Sequence, residues 1–296
     1  MSEANKQTVV SLAVQHREPD RIRRTPGLVV VHGAEIGRRH ALPAGGLLIG
    51  RDPLQVGLVL ADPAVSARHC SVEIEPETGA FRVADLGSRN GTYVNGEKVA
   101  ERGLVEGDKI FVGETVLRFS LQDAIEESFH AQIETLMNVD ALTGLLVKRA
   151  FDLELARGFE TARRTGSPLV LLMMDLDGLK SINDNRGHQM GSLCIAEVGK
   201  IVGEEIAPVG RACRYGGDEF IAWVEVSEAG AGQVAERIRA RVESYEFIRD
   251  GVRVHSTISI GLAELHGGLA TPDHLMQAAD EALYRAKRAG RNRVAR

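Results

Sequence analysis

Cysteine is scarce and scattered in this chain. Cys70, Cys194 and Cys213 are the three in 296 residues, and no two of them form a C-x-x-C pair. A disulfide framework is therefore excluded as the organising device, and reduced thiols in a cytosolic protein are the expectation. Long apolar runs are missing as well. The longest in the body is "LVLLMM" at 169–174, far below a membrane span. Near the start, "TVVSLAV" is cut off by "QHREPDR" too soon for a secretory signal. A soluble, cytoplasmic protein without membrane insertion is predicted. Nor is there an excess of one charge: the net value of −5 gives no whole-protein argument for nucleic acid or an anionic membrane. Long internal repeats and low-complexity blocks are absent too.

What is present is the composition of a soluble globular protein, 44% hydrophobic and 26% charged, at a length that suits two domains. Residues 1–26 are polar and Arg-rich and read as a flexible tail. From 27 to 120, short β-type runs such as "GLVVVHG", "CSVEIE" and "KIFVG" alternate with glycine turns, predicting an all-β sandwich. The period then changes. Leu121, Ile125, Phe129, Ile133, Leu136 and Val139 recur at spacings of four and three, so 121–139 is predicted to be an amphipathic helical linker. Two readings of its apolar stripe stand: a helix lying on its own domain, or a short coiled-coil seam between two protomers. After Asp140, helices (145–164, 190–206, 229–245 and the "TPDHLMQAADEALYRAKRAG" segment) alternate with strands, giving an α+β domain over 140–296.

Three elements of that second domain carry chemistry. "LLMMDLDGLKSIND" is a buried strand ending in acids. Asp175 and Asp177 are read as alternating faces, which leaves one acid for any single pocket. "RYGGDEFI" is a hairpin in which Gly216 and Gly217 can take positive φ and admit phosphates close to the backbone, with Asp218 following as a hard oxygen ligand. In "KRAGRNR", Lys287 and Arg291 stand at i and i+4 and would present two cations together if the helix extends that far. Each element alone is as well accounted for by a turn, a strand end or a solvated helix terminus. Together they fit the holding of a Mg²⁺-bound triphosphate for phosphoryl or nucleotidyl transfer.

"DALTGL" (140–145), "DLDGLKSINDNRGHQMG" (175–191), "RYGGDEF" (214–220), "STISIG" (256–261) and "ADEALYRAKRAGRNRV" (279–294) occur in that order, and the domain resembles the GGDEF family of diguanylate cyclases. The resemblance implies a central, mostly antiparallel sheet similar to the palm of polymerases and adenylyl cyclases. It implies Asp175 and Asp218 as carboxylate ligands of Mg²⁺ or Mn²⁺, with the Leu176 backbone assisting. Glu219 would assist metal binding or activation of the hydroxyl. Backbone near Gly178 and Leu179, with Lys180, Lys287 and Arg291, would hold the β- and γ-phosphates, and Asn183 would bond the base. Asp140 and Arg214 would form a supporting ion pair. The implied reaction needs two facing domains, each holding one GTP, so the chain would act as a homodimer with the linker as organiser.

Three departures from the family pattern matter. Ser192 replaces an Asp that normally reads guanine. A hydroxyl both donates and accepts, so it can face adenine as well as guanine. Neutral drift accounts for Ser192, and so does membership of the hybrid promiscuous subgroup, which makes cyclic GMP-AMP from GTP and ATP. The inhibitory R-x-x-D site is replaced by "APVG" (207–210), so product feedback is expected to be missing. Val147 stands where Asn is common, and is read as a packing change.

In the N-terminal part, "LIGRDP" (48–53), "VSARHCSVE" (65–73) and "DLGSRNGTYVNG" (85–96) resemble the forkhead-associated (FHA) domain. The resemblance implies a phosphothreonine site with Arg51 and Ser66 on the phosphate, Arg89 as a further contact and Asn90 on the peptide backbone. His69 is read as bracing the loop. The ligand would be a phosphothreonine peptide from a partner, or from the chain's own tail at Thr8 or Thr25, with a Ser/Thr kinase implied. The predicted function is a dimeric cyclic-dinucleotide synthase gated by phosphopeptide. A catalytically retired nucleotide-binding scaffold is the alternative, disfavoured because Asp175, Asp218, Glu219, Lys287 and Arg291 all survive.

Overall fold

The computed structural model describes residues 24–75 and 77–296. Most of the expected tail, including Thr8, lies outside these residues. Among them, eleven strands precede the first helix: β1 (Thr25–His32), β2 (Arg39–Ala41), β3 (Leu47–Gly50), β4 (Leu58–Val59), β5 (Cys70–Ile74), β6 (Phe81–Asp85), β7 (Thr92–Val94), β8 (Glu97–Val99), β9 (Glu101–Leu104), β10 (Lys109–Val112) and β11 (Thr115–Gln122). They form two sheets, ordered β2-β1-β11-β10-β7-β8 and β4-β3-β5-β6-β9. One core lies between them, built from Leu28, Ile49, Val72, Val83, Ile110, Leu117 and Phe119. Short strands with alternating apolar positions bury one face of each sheet by packing the two sheets together. Thr25 is part of β1, where its hydroxyl bonds the Gln122 carbonyl at 3.1 Å, so it does not precede the sandwich as expected.

Strand β11 runs on through Leu121 and Gln122, two residues past the expected boundary. Asp123 alone separates it from α1 (Ala124–Asn138). The helix starts there because D-x-x-E closes a capping box: Asp123 accepts from the Ile125 and Glu126 amides at 2.8 and 2.9 Å, and Glu126 accepts from the Asp123 amide at 3.0 Å. Leu121 therefore belongs to the strand and not to the stripe. No residue of α1 is buried; Ile125, Phe129 and Leu136 are 80%, 59% and 81% exposed. Ile125, Phe129 and Leu136 of the stripe are thus left uncovered, while Ile133 and Val139 are half-buried.

The C-terminal domain contains β12 (Leu146–Val147), α2 (Lys148–Thr165), β13 (Val170–Asp177), α3 (Leu179–Arg186), α4 (His188–Ile206), β14 (Gly210–Gly216), β15 (Glu219–Val224), α5 (Glu228–Ser244), β16 (Phe247–Arg249), β17 (Val252–Val254), β18 (Thr257–Glu264), α6 (Pro272–Arg288) and β19 (Val294–Ala295). Its sheet is ordered β12-β14-β15-β13-β18-β19, antiparallel in the middle and parallel at both edges. Strand β13 is central, and apolar up to its acidic end because both of its faces are covered. Val170, Leu172, Met174 and Leu176 pack under α4 and α5, whereas Leu171 and Met173 pack under α2 and α6. The single strand expected over 252–265 is broken at His255–Ser256, and its first part pairs with β16 as a separate hairpin. None of the described helices is long and apolar enough to cross a membrane.

Charged contacts join the two domains. Arg157 of α2 pairs with the buried Glu35 and donates to the Val59 carbonyl at 2.9 Å. Arg164 pairs with Asp52, and Arg149 donates to the Ala34 carbonyl at 3.2 Å.

Candidate active site

The register of the central strands assembles the acids. Asp175 lies opposite Glu219 on β15 and opposite Ser259 on β18, and Asp177 lies opposite Thr257. Residues directly opposite project to one side, and so do residues two apart along a strand. Asp175, Asp177, Glu219, Thr257 and Ser259 consequently share the face covered by α6. The expectation that Asp175 and Asp177 point to opposite faces is corrected here, since a two-residue period puts i and i+2 together. What separates them is position along the strand and their partners. Asp175 accepts from Lys287 of α6 at 2.7 Å. The buried Asp177 accepts from the Thr257 and Ser259 hydroxyls at 2.7 and 2.8 Å.

The hairpin turn is tied to the same place. The Leu176 amide donates to the Asp218 carbonyl at 3.1 Å, and Arg214 donates twice to the Gly217 carbonyl, at 3.1 and 2.9 Å. Arg214 also reaches Asp140 at 3.5 Å, so the ion pair expected between them is present. Only Gly217 of the two glycines takes positive φ, +44°. A Cβ at either would meet nothing within 4 Å, so the turn is open to an approaching ligand.

Lys287 and Arg291 do not form the expected pair on one helical face. Helix α6 ends at Arg288, and Gly290, Arg291 and Asn292 follow at φ +111°, +62° and +47°. Such left-handed residues terminate a helix. Arg291 is instead exposed, with its Nε 3.9 Å from Asp177. Both cations still lie against the acid-bearing face.

On the other side of Asp177, Gly178 (φ +78°) turns the chain into α3, with Leu179 buried at its start and Lys180 exposed. Asn183 of α3 lies directly over Gly191 of α4: a Cβ at 191 would fall 2.0 Å from Asn183 Oδ1. Ser192 is exposed on the next position of α4. Asn183 is thus seated at the α3–α4 junction by Gly191, one residue before Ser192 on α4, a glycine to which the sequence alone assigns no role.

Burial pushes the Asp175 carboxyl above its ordinary range. Lys287 opposes the shift, and Asp218 and Asp177 add to it. Glu219 is raised as well, by burial first and then by the Asp175 charge. Carboxylates that raise one another's proton affinity are stabilised together by a divalent cation. Among the described residues, no three acid, histidine or cysteine side chains already converge as a metal cage. Mg²⁺ needs only one or two carboxylates and completes its shell from substrate phosphates and water, and Asp175 beside the Asp218 turn offers donors of that kind. The donor set fits.

In the sandwich, Arg51, Ser66, Arg89 and Asn90 come together on loops at one end. The Arg51 amide donates to the Ser66 carbonyl at 2.9 Å, the Arg89 amide to Ser66 Oγ at 3.0 Å, and Asn90 Nδ2 to the Ala64 carbonyl at 2.7 Å. His69 is buried and braces these loops through the Ser66 amide (3.1 Å) and the Gly91 carbonyl (3.2 Å). Arg51 also lines a cleft shared with Arg157, Glu160 and Arg164 of α2.

Residues 29–123 match the family model "Inner membrane component of T3SS, cytoplasmic domain", a description different from the forkhead-associated domain that the sequence motifs resemble. Diguanylate cyclase A of Treponema denticola is 37% identical over 169 residues, 56% of this chain and 46% of that protein. Diguanylate cyclase DosC of Escherichia coli is 41% identical over 162 residues, 53% of this chain and 35% of that protein. The match thus spans less than half the length of these two relatives. The crystal structure of the coiled coil and GGDEF domain of DgcB from Caulobacter crescentus, in complex with c-di-GMP, superposes with a TM-score of 0.54 at 34% identity, covering 58% of this chain and 91% of that one. The family model "Diguanylate cyclase, GGDEF domain" matches residues 137–293, more than half of the chain, and through them the chain belongs to that family.

Proposed function

We propose that the C-terminal domain condenses two GTP into cyclic di-GMP with release of two pyrophosphates, in a homodimer. The observation that carries this reading is the convergence of Asp175, Glu219 and Lys287 on one sheet face beside the Asp218 turn. Asp175, the Leu176 carbonyl and Asp218 would hold Mg²⁺ or Mn²⁺. The bound cation would neutralise charge developing at the transferring phosphate and lower the pKa of the attacking hydroxyl. Lys287, Arg291 and Lys180, with the backbone at Gly178 and Leu179, would hold the β- and γ-phosphates, and the open Gly216–Gly217 turn admits the nucleotide. Asn183 would orient the base. Glu219, with its raised proton affinity, would sit by the 3′-hydroxyl as proton acceptor or metal support. That hydroxyl attacks the α-phosphate of the facing nucleotide, forming the P–O bond as pyrophosphate leaves; the reciprocal attack closes the ring.

Each protomer holds one nucleotide, so two must meet. The exposed Ile125, Phe129 and Leu136 stripe supports the seam reading, because each such side chain buried would contribute about 1.5–3 kcal/mol. Ser192, one residue along α4 from the glycine that seats Asn183, supports a second product, cyclic GMP-AMP, because a hydroxyl satisfies either purine. The cluster of Arg51, Ser66, Arg89 and Asn90 supports a phosphothreonine peptide as the regulatory ligand, from a kinase-modified partner or the tail.

The test is to mix purified protein with Mg²⁺ and GTP, then with GTP plus ATP, and to identify products by mass spectrometry. No cyclic product from an intact dimer would leave only the retired scaffold. Ser192→Asp is expected to suppress any mixed product. Arg51→Ala is expected to abolish phosphopeptide binding without changing basal turnover.

A further inference from the structure

We infer that Asp177 is a positioning residue that sets Arg291 for a nucleoside triphosphate; the inference rests on the nucleotide-binding reading above. Asp177 is buried and fully engaged. Its Oδ1 accepts from Ser259 (2.8 Å), its Oδ2 from Thr257 (2.7 Å) and from the Asn292 amide (3.2 Å), and its own carbonyl accepts from Ser256 (2.8 Å). The amide bond is the informative one. Arg291 and Asn292 are consecutive non-glycine residues in the left-handed region, a conformation that side chains with a Cβ disfavour.

Such a pair persists only where its surroundings hold it. The Asn292 side chain is tied to Glu243 at 2.6 Å and Arg239 at 3.0 Å, and the Arg293 carbonyl accepts from the Ile260 amide at 2.9 Å. These contacts fix the far side of the loop. Asp177 fixes it to the strand that carries Asp175, two residues away. One strand end thereby sets both the metal-side acid and the loop bearing the phosphate-side cation. The Arg291 side chain is 62% exposed with its Nε only 3.9 Å from Asp177, so it is held near the acid face yet free to turn to a phosphate.

The replacement Asp177→Asn keeps the size but offers one acceptor oxygen in place of two. Its amide would then face a hydroxyl or the Asn292 N–H. Binding to the full chain is measured with Mg²⁺ by calorimetry, using a GTP analogue blocked between the α- and β-phosphates, and GMP. The expected result is roughly tenfold weaker analogue binding with GMP binding unchanged, on the scale of a lost charge-assisted bond. Arg291→Ala should do the same, and the double variant should be no worse than Arg291→Ala alone. Thr257→Val should shift the same ratio less, with the Asp177 carboxylate intact. Equal loss for both ligands, or additive losses in the double variant, would overturn the inference and mark Asp177 as a fold support only. A wild-type protein without preference for the triphosphate would overturn the nucleotide reading and this inference together. A wild-type preference retained in Asp177→Asn would overturn this inference alone.

Discussion

Gly261 offers the sharpest test of how α6 sits on the sheet. An alanine Cβ there would lie 2.1 Å from the Leu283 amide nitrogen, 2.3 Å from the Ala279 carbonyl oxygen and 2.7 Å from Leu283 Cα. All three are helix backbone and cannot rotate aside. Helix α6 would have to lift by roughly 1.3 Å to reach the 3.4 Å at which ordinary contact begins. Overpacking a closed core costs about 1–3 kcal/mol, and a backbone-on-backbone clash belongs at the upper end. For a domain of this size each kcal/mol lowers the midpoint by about 2–4 °C, so Gly261→Ala should melt roughly 6–12 °C early. The same lift draws Lys287 away from Asp175, now 2.7 Å distant, and a misplacement of about 1 Å at a reacting centre costs on the order of 100-fold in rate. Circular dichroism melts and cyclic-product formation well below the midpoint measure both effects. Gly267→Ala, where a Cβ meets nothing within 4 Å, is the silent control. A Gly261→Ala protein with wild-type melting and turnover would refute this packing of α6.

Because Asp175 and Glu219 titrate above the usual carboxylate range, divalent-cation binding should fall off on the acid side at a higher pH than ordinary carboxylates would give. The sign for stability is opposite. A raised folded-state pKa stabilises the metal-free domain in mild acid, and that contribution is lost as pH rises through the raised value; melts with and without Mg²⁺ between about pH 5 and pH 8 should converge toward acid. Gly191→Ala should displace Asn183 and weaken GTP binding while leaving pyrophosphate binding alone, read by calorimetry with each ligand. Arg164 first, with the Leu54 amide and Gln55, holds the Asp52 carboxyl down to about 2, so Arg164→Ala should raise it toward the ordinary range in an NMR titration. An unchanged Asp52 would place the domain contact elsewhere.

The features legible in the sequence are those carried by local spacing. Strand and turn spacing foretells the sandwich, the alternation of periods foretells the α+β domain, and the D-x-x-E at 123–126 is visible as a helix start once the structure points to it. The acid-bearing strand and hairpin stand where the sequence puts them, because charge at the end of a buried strand marks the sheet edge as well as the site. The faces of Asp175 and Asp177 come out differently from the sequence expectation, although the two-residue period was available. The helix holding Lys287 is shorter than expected, although Gly290 is an ordinary stop signal. Some features were out of reach. That Asn183 rests on Gly191, and that Thr257 and Ser259 serve Asp177, depends on helix crossings and strand register, and the strand register pairs residues tens of positions apart. The chemistry of the sandwich's ligand is not written in local spacing either, since loops of one backbone shape can hold different side-chain partners.

The single residue between β11 and α1 has a mechanical consequence. Fifteen helical residues make a rod of about 22 Å, and at Asp123 its capping box welds it to the last strand of the sandwich. A rocking of the sandwich by about 10° would sweep the far end of such a rod by roughly 4 Å, since helices transmit tilt without bending much. That end leads straight into Asp140, whose pairing with Arg214 reaches the Gly217 carbonyl. A small tilt at that joint would be delivered by leverage to the helix end, and from there would pass to the signature turn through the Asp140–Arg214–Gly217 contacts.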